Sequence, residues 1–492
     1  MKSIFRATAI LSGSSIASIV VSLGTAKVMA LYLKPAGYGY YGLLQNFVVL
    51  ASLATGVGMA TGIVRLGAGA ARANDLHVLA AIQHASWWLF AATGTVAFAF
   101  LVVFRARFSQ WALGSTSHGT VIVIMTVPLL LTVAKNIYMG ILNAYHHVGA
   151  LARCAVFSSV FSAGLVIPMV LIFGLKGIVP AVTLDSFIAC AVYRHFLRRT
   201  VGSIPVKPTA KDTANAAWSL LRFGGPYTAS MLLGTGVQLA LPMLVLHMLN
   251  AESVGYYRAA TAISVGYLGF LVNAMTQDYY PRVSAAANKP AALVQLINEQ
   301  HRLVMLAAVP MILGALALVP YLVPLLYSVQ FQGSVDILEW QIIGDLFRFS
   351  AWTMSCVILA RSKPSKYLLT EMIGGAASIG CTWMAVRWFG IAGLGLGFLL
   401  GYIIYYLGAW LMIKTELSMV WTPANRRAML IGIGACLLIR ALSVTPMAPW
   451  RTPIALALAL VIGIPNARII WQEFRGTPKE SPVPVLAGGS HE

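Results

Sequence analysis

What this 492-residue sequence has least of is charge: Asp, Glu, Lys and Arg together make up 10% of it, where soluble domains carry about 25%. With 59% hydrophobic residues and a mean hydropathy of +0.80, that scarcity excludes an ordinary soluble domain and implies a membrane protein. Cysteine is also scarce. The five present (Cys154, Cys190, Cys356, Cys381 and Cys436) all sit in apolar runs and form no CxxC or Cys/His cluster, so neither a disulfide framework nor a metal site is expected. No phosphate-cradling Gly-rich motif is present, which argues against direct ATP hydrolysis. A cleavable signal peptide is not expected either, because the first apolar run, 8–33, is too long for one and leads straight into another span. Sizeable outer loops are missing as well. A polymerase, ligase or glycosyltransferase would need one for its catalytic groups, so the expectation is a protein that is not an enzyme. The net charge of +20 is scattered over short loops, a positive-inside bias and not a nucleic-acid surface.

What is present is a long succession of apolar segments, about fourteen of them near 20 residues each. The expected fold is an all-α polytopic membrane protein with two pseudo-symmetric six-helix lobes plus two C-terminal helices around a central cavity. Residues 1–200 form the first lobe, 201–216 a cytoplasmic linker and 217–414 the second lobe. Two further helices occupy 424–475, and 476–492 is a cytoplasmic tail. Counting Lys and Arg with the N-terminus inside gives about 23 on the inner side against about 8 outside, so both termini are expected in the cytoplasm.

The division into halves rests on a repeat. The stretch Lys34-Pro-Ala-Gly-Tyr-Gly-Tyr-Tyr41 ends one apolar helix and opens another, and Ser253-Val-Gly-Tyr-Tyr257 opens a helix in the same way. Gly39 and Gly255 are 216 residues apart, and so are Phe173-Gly174 and Phe389-Gly390. A shared offset suggests internal duplication, and duplicated halves in a polytopic chain suggest a transporter working by alternating access.

The same segments carry a resemblance. Lys34-Pro-Ala-Gly-Tyr-Gly39, Leu43-Leu-Gln-Asn-Phe47, Gly56-Val-Gly-Met-Ala-Thr-Gly-Ile-Val-Arg65, Arg222-Phe-Gly-Gly-Pro226 and Tyr280-Pro-Arg282 resemble the Wzx-type flippases of the polysaccharide transporter family, within the multidrug/oligosaccharidyl-lipid/polysaccharide exporter superfamily. The resemblance implies two helical bundles around a cavity and a substrate made of an oligosaccharide repeat unit, such as an O-antigen unit, linked through pyrophosphate to undecaprenol. Such a flippase moves it from the cytoplasmic to the periplasmic leaflet of the bacterial inner membrane. No cofactor and no nucleic acid are expected; coupling to a proton or sodium gradient or to the membrane potential is left open by the sequence, as is partnership with other glycan-assembly proteins. The alternatives are a drug or cation exporter of the same superfamily and, further off, an integral-membrane glycan polymerase or ligase.

Ionisable groups inside spans are costly and point to function by default. A lipid pyrophosphate brings about two negative charges, which Arg or Lys lining a hydrated cavity would offset. The substrate-binding candidates are therefore Lys27, Lys135, Arg348, Arg258, Arg65 and Arg282, with Gln45, Asn46, Gln238 and Asn273 as hydrogen-bonding groups for sugars. Arg348 shares a helix face with Asp345 at i, i+3, so an internal ion pair and a cavity role are both open. Lys135 is too deep for easy snorkelling, whereas Lys27 fits either role. Arg258 fits an interfacial anchor or an outer-gate contact. Arg65 and Arg282 close the inner ends of the second and eighth spans and fit recruitment of the pyrophosphate or positive-inside anchoring. Ion-coupling candidates are Asp185, Asp345, Asp278 and Glu371, since a carboxylate in an apolar span can carry a proton. Nothing in the sequence selects among them.

Overall fold

The computed structural model describes residues 2–202, 206–361, 364–443 and 445–476. The expected tail at 476–492 lies outside them apart from Gly476. Among the described residues the regular elements are all helical. In chain order they are α1 (Lys2–Gly56), α2 (Met59–Arg72), α3 (Leu76–Val103), α4 (Arg105–Leu113), α5 (Gly119–Ile124), α6 (Thr126–Ala144), α7 (Val148–Phe173) and α8 (Ile178–Thr200). There follow α9 (Ala210–Met248), α10 (Ala251–Thr261), α11 (Gly269–Ala285), α12 (Pro290–Leu326), α13 (Gly333–Ala360), α14 (Pro364–Phe389), α15 (Ala392–Leu417), α16 (Pro423–Leu442) and α17 (Arg451–Gly476). Among the described residues, eight helical segments are long and apolar enough to cross a membrane. Two of these, Ala17–Gly56 with 40 residues and Val148–Thr200 with 53, are long enough for two crossings each, because about 20 residues span the hydrocarbon core. The protein is a multi-pass membrane protein.

The breaks between helices follow the local chemistry. Inside α1, Lys34 leaves helical geometry at φ 57° and ψ 176°. Its successor Pro35 cannot donate to the preceding turn but suits the first position of a new one. At the duplicated position the same task falls to Asn250, whose side chain accepts from Ser253 N at 2.8 Å and caps α10. The second expected span, 39–64, is interrupted at Val57-Gly58, both in left-handed backbone. Helix α9 starts at Ala210, inside the stretch expected as linker. Thr209 and Asp212 form a capping box there: Asp212 N donates to Thr209 Oγ1 at 3.1 Å, and Thr209 N donates back to the Asp212 carboxylate at 3.3 Å.

The duplication shows in backbone detail. Gly174 and Gly390, one offset apart, both take positive φ (54° and 57°) immediately after a helix ends, a conformation glycine adopts without the penalty a Cβ would bring. Three residues on, Gly177 packs on the carbonyl of Met169 and Gly393 on that of Ala385, again the same offset. The two copies of the opening motif also meet: a Cβ on Gly39 would stand 2.9 Å from the backbone nitrogen of Gly255.

The chain forms two compact units. The first comprises Met1–Phe270, Val319–Gln341 and Pro364–Gly408. Within it, α1 packs along α7 and α10, and α6 along α2 and α8. The second comprises Leu271–Leu318, Ile342–Lys363 and Ala409–Glu492. Its core holds Tyr279, whose hydroxyl donates to the Thr353 carbonyl at 2.9 Å, and Leu313, Leu346 and Phe349, all fully buried. Helix α16 is anchored to α12 by side-chain amides, with Thr422 N and Asn425 Nδ2 each donating to Asn298 Oδ1 at 3.0 Å.

Candidate functional site

In the first unit α1 presents Tyr38, Tyr41 and Gln45, spaced three and four residues apart and therefore on one face. Gln45 Nε2 donates to the Tyr41 hydroxyl at 2.7 Å, which turns its carbonyl oxygen outward to accept from Arg258 Nη2 at 2.5 Å. The guanidinium lies over the Tyr38 and Tyr41 rings, 4.8 and 5.1 Å from their centroids. Cation–π contacts of this kind favour Arg and leave its net charge intact. Tyr38 is itself fixed edge-on by Tyr327 and Phe331, with centroids at 5.8 and 5.7 Å. Gly42 supplies the space: a Cβ there would come 2.6 Å from Arg258 Cδ. Among the described residues no carboxylate lies within ion-pair distance of Arg258. Its charge is held by an amide and two aromatic faces, not neutralised.

Arg258 borders two cavities. The first, of about 340 Å³, is lined by polar groups from α1, α7 and α8, including Thr25, Gln45, Ser159, Ser162 and Asp185. The second, of about 350 Å³, is walled by Asn46, Thr261, Ser378, Thr382 and Tyr402 together with apolar side chains. Ala262 borders both. It opens a π-helical segment, Ala262–Leu268, between α10 and α11. Wide turns of that kind occur mostly at functional positions in helices. A larger cleft of about 490 Å³ along α3, with Gln83, His84, Trp87 and Trp88, brings together neither Arg nor Lys.

The structure thus brings together Arg258, Gln45, Asn46 and Asp185 from the candidates named above. Asp185 accepts a hydrogen bond from Ser162 and lies within electrostatic reach of Lys135. The remaining candidates have partners of their own. Lys27 donates from Nζ to the Leu325 carbonyl at 2.6 Å. Arg348, in the second unit, pairs with Asp345 at 3.1 Å, with 12% and 0% of the two side chains exposed. Arg282 pairs with Asp278 at 3.2 Å and with Glu299 at 3.8 Å. Arg65 is exposed and lies over the Phe223 ring at 4.3 Å. Glu371 accepts from the Tyr405 hydroxyl at 2.7 Å. The side chains of Gln238 and Asn273 lie outside the described residues. Sequence reasoning passed over Tyr38, Tyr41, Ser159 and Ser162. The 38/41/45 spacing could have flagged the tyrosines, but nothing local marks the serines: Ser159 bonds the Ala155 carbonyl of its own helix, and Ser162 needs α8 beside α7 to acquire its carboxylate partner.

A family described as "Polysaccharide biosynthesis protein" matches residues 28–336, well over half of the chain. The chain belongs to this family. The matched stretch contains Tyr38, Tyr41, Gln45, Asp185 and Arg258, and so most of the cluster just described. The chain is also similar to the lipid III flippase of Escherichia coli (strain K12), with 19% identity over 411 residues, covering 82% of this chain and 96% of that protein. In fold it is similar to the lipid II flippase MurJ in an inward closed conformation, with a TM-score of 0.73 and 14% identity, covering 94% of this chain and 99% of that one. It is similar too to an inward-facing multidrug resistance MATE family transporter of the MOP superfamily, with a TM-score of 0.65 and 17% identity over 83% of this chain and 96% of that one. The family member therefore has the MOP-superfamily fold, as the resemblance implied.

Proposed function

We propose that this family member is a flippase for lipid-linked glycans, carrying an undecaprenyl-pyrophosphate oligosaccharide from the cytoplasmic to the periplasmic leaflet of the bacterial inner membrane. The observation that carries the reading is Arg258: an arginine held by neutral partners where it borders two cavities, one polar and one of mixed lining. An uncompensated, half-buried cation is costly, and an entering anion offsets that cost. The planar guanidinium also matches a phosphate bidentately. The names of similar proteins, lipid III flippase and lipid II flippase MurJ, support the same substrate class. In this reading the pyrophosphate meets Arg258. Both termini are cytoplasmic, about fourteen spans are arranged as two lobes, and a proton or sodium gradient or the membrane potential drives the cycle. The chain moves its substrate without making or breaking covalent bonds.

The test is reconstitution of the full chain in liposomes loaded with a fluorescent undecaprenyl-pyrophosphate oligosaccharide, scoring its arrival in the outer leaflet. Wild-type transport and its loss in a folded Arg258→Ala variant are expected. A second reading, a drug or cation exporter, is favoured by the likeness to the MATE transporter. Export of a cationic dye by protein that leaves the lipid-linked glycan untouched would give it the case.

A further inference from the structure

The first cavity carries charge of both signs on different walls. Arg258 stands on α10, Asp185 on α8, and α1 contributes Tyr41, which senses both charges. The pyrophosphate assigned above to Arg258 needs no acceptor, and a carboxylate close to it is a repulsive neighbour. Asp185 is therefore left without a part in holding the phosphate. Its chemistry is distinct. An ionised carboxylate is an acceptor only, with room for several hydrogen bonds, and here Ser162 on α7 supplies one donor from the wall itself. Lys135 on α6 lies within electrostatic reach of it. The surrounding lining is hydroxyl- and amide-bearing: Thr25, Gln45, Ser159 and Ser162. A wall of that composition suits a donor-rich group such as a pyranose ring with hydroxyl or amino substituents, and it repels a second anion.

Resting on the flippase reading, we propose that Asp185 is a specificity-determining residue that reads the sugar nearest the pyrophosphate, accepting a neutral or amine-bearing pyranose and excluding a uronic acid. The guanidinium fixes the phosphate end. The carboxylate meets what lies next to it. Discrimination comes from placing like charges together in a poorly screened cavity, a repulsive element of the kind that specific sites use. Lys135 is the positive charge that limits the size of the effect, because it partly offsets Asp185 for any entering anion.

The experiment measures binding of three short-chain polyprenyl-pyrophosphate monosaccharides to the purified full chain: an N-acetylhexosamine, a hexosamine with a free amine, and a hexuronic acid. Wild type is expected to bind the first two at least about tenfold more tightly than the uronate, a modest result for like charges brought near contact. Asp185→Asn should raise uronate affinity toward that of the N-acetylhexosamine and remove the advantage of the free amine, whereas Asp185→Glu should keep the exclusion. The wild-type comparison needs no substitution, so it stands whether or not a variant folds. Equal binding of all three by wild type overturns the role of Asp185 and leaves the flippase reading intact. Binding of none of them overturns that reading, and this proposal with it.

Discussion

Arg258 and Arg348 are both arginines in apolar helices, and both drew attention because charge is costly there. They are managed in opposite ways. Arg348 sits one helical turn from Asp345 and pairs with it at 3.1 Å, the carboxylate fully buried. Arg258 has an amide oxygen at 2.5 Å, two phenol rings and two cavities. A compensated pair is electrically quiet and serves packing; removing one partner leaves the other charge stranded. A cation held only by neutral groups keeps its charge for something that arrives. The location of the counter-charge, more than the presence of an arginine, separates a structural residue from a binding one.

The largest effect that would break this contrast is on stability. Asp345→Ala should strip Arg348 of its partner and cost about 3–5 kcal/mol, read as a lowered unfolding midpoint in detergent. If Arg348 proves indifferent to the loss, it is not the quiet arginine described here. Next comes Arg258→Ala, expected to weaken lipid-pyrophosphate binding about 10- to 100-fold, the range for hydrogen bonds to charged groups. Its unfolding midpoint should change far less than that of Asp345→Ala. Arg258→Lys should recover part of the affinity, since a point charge lacks the planar fork.

A smaller effect sharpens the comparison without touching any charge. In Gly42→Ala the new methyl would occupy the space beneath the Arg258 side chain. The guanidinium must then shift, and binding should fall about three- to tenfold, roughly 1 kcal/mol; affinity unchanged by this variant would mean that the present position of Arg258 is immaterial. Smallest is a carboxylate outside the membrane. At the start of α9, the Thr209 hydroxyl and then its backbone N–H hold the Asp212 carboxyl below its ordinary pKa. A depressed carboxylate adds stability above its ordinary pKa and loses it as pH falls through the folded value. Protection of the first-turn amides of α9, taken relative to the intrinsic exchange rate at each pH, should therefore fall on acidification in wild type. In Thr209→Ala it should be low already, with a weaker dependence on pH. Asp212 is fully exposed, so the response should stay local.

Features that depend on near neighbours were legible in the residues. Lys34-Pro35 announced a helix break because proline removes a donor wherever it stands. The offset pairing Gly174 with Gly390 anticipated matching left-handed turns, because a conformation open to glycine is written at one position. The Asp345–Arg348 pair was visible for the same reason, i and i+3 being neighbours on any helix. The cluster around Arg258 was not. Its partner Gln45 is 213 residues away, and the sequence put an interfacial anchor ahead of a gate contact for Arg258. The sugar-binding side chains named on α1 were Gln45 and Asn46. Asn46 lines the second cavity, but Gln45 holds the guanidinium, and which of two neighbours about 100° apart around the helix meets Arg258 only the packing of α10 decides.

By itself, then, the sequence determined the membrane class, the helical content, the breaks and the duplication. These follow from solvation of apolar runs and from backbone sterics, which act over a few residues. Only the tertiary structure decided which charges are spent on internal pairs and which face a cavity. Coulomb and hydrogen-bond partners are chosen by distance in space, and distance in space between helices is set by side-chain packing that no local pattern encodes.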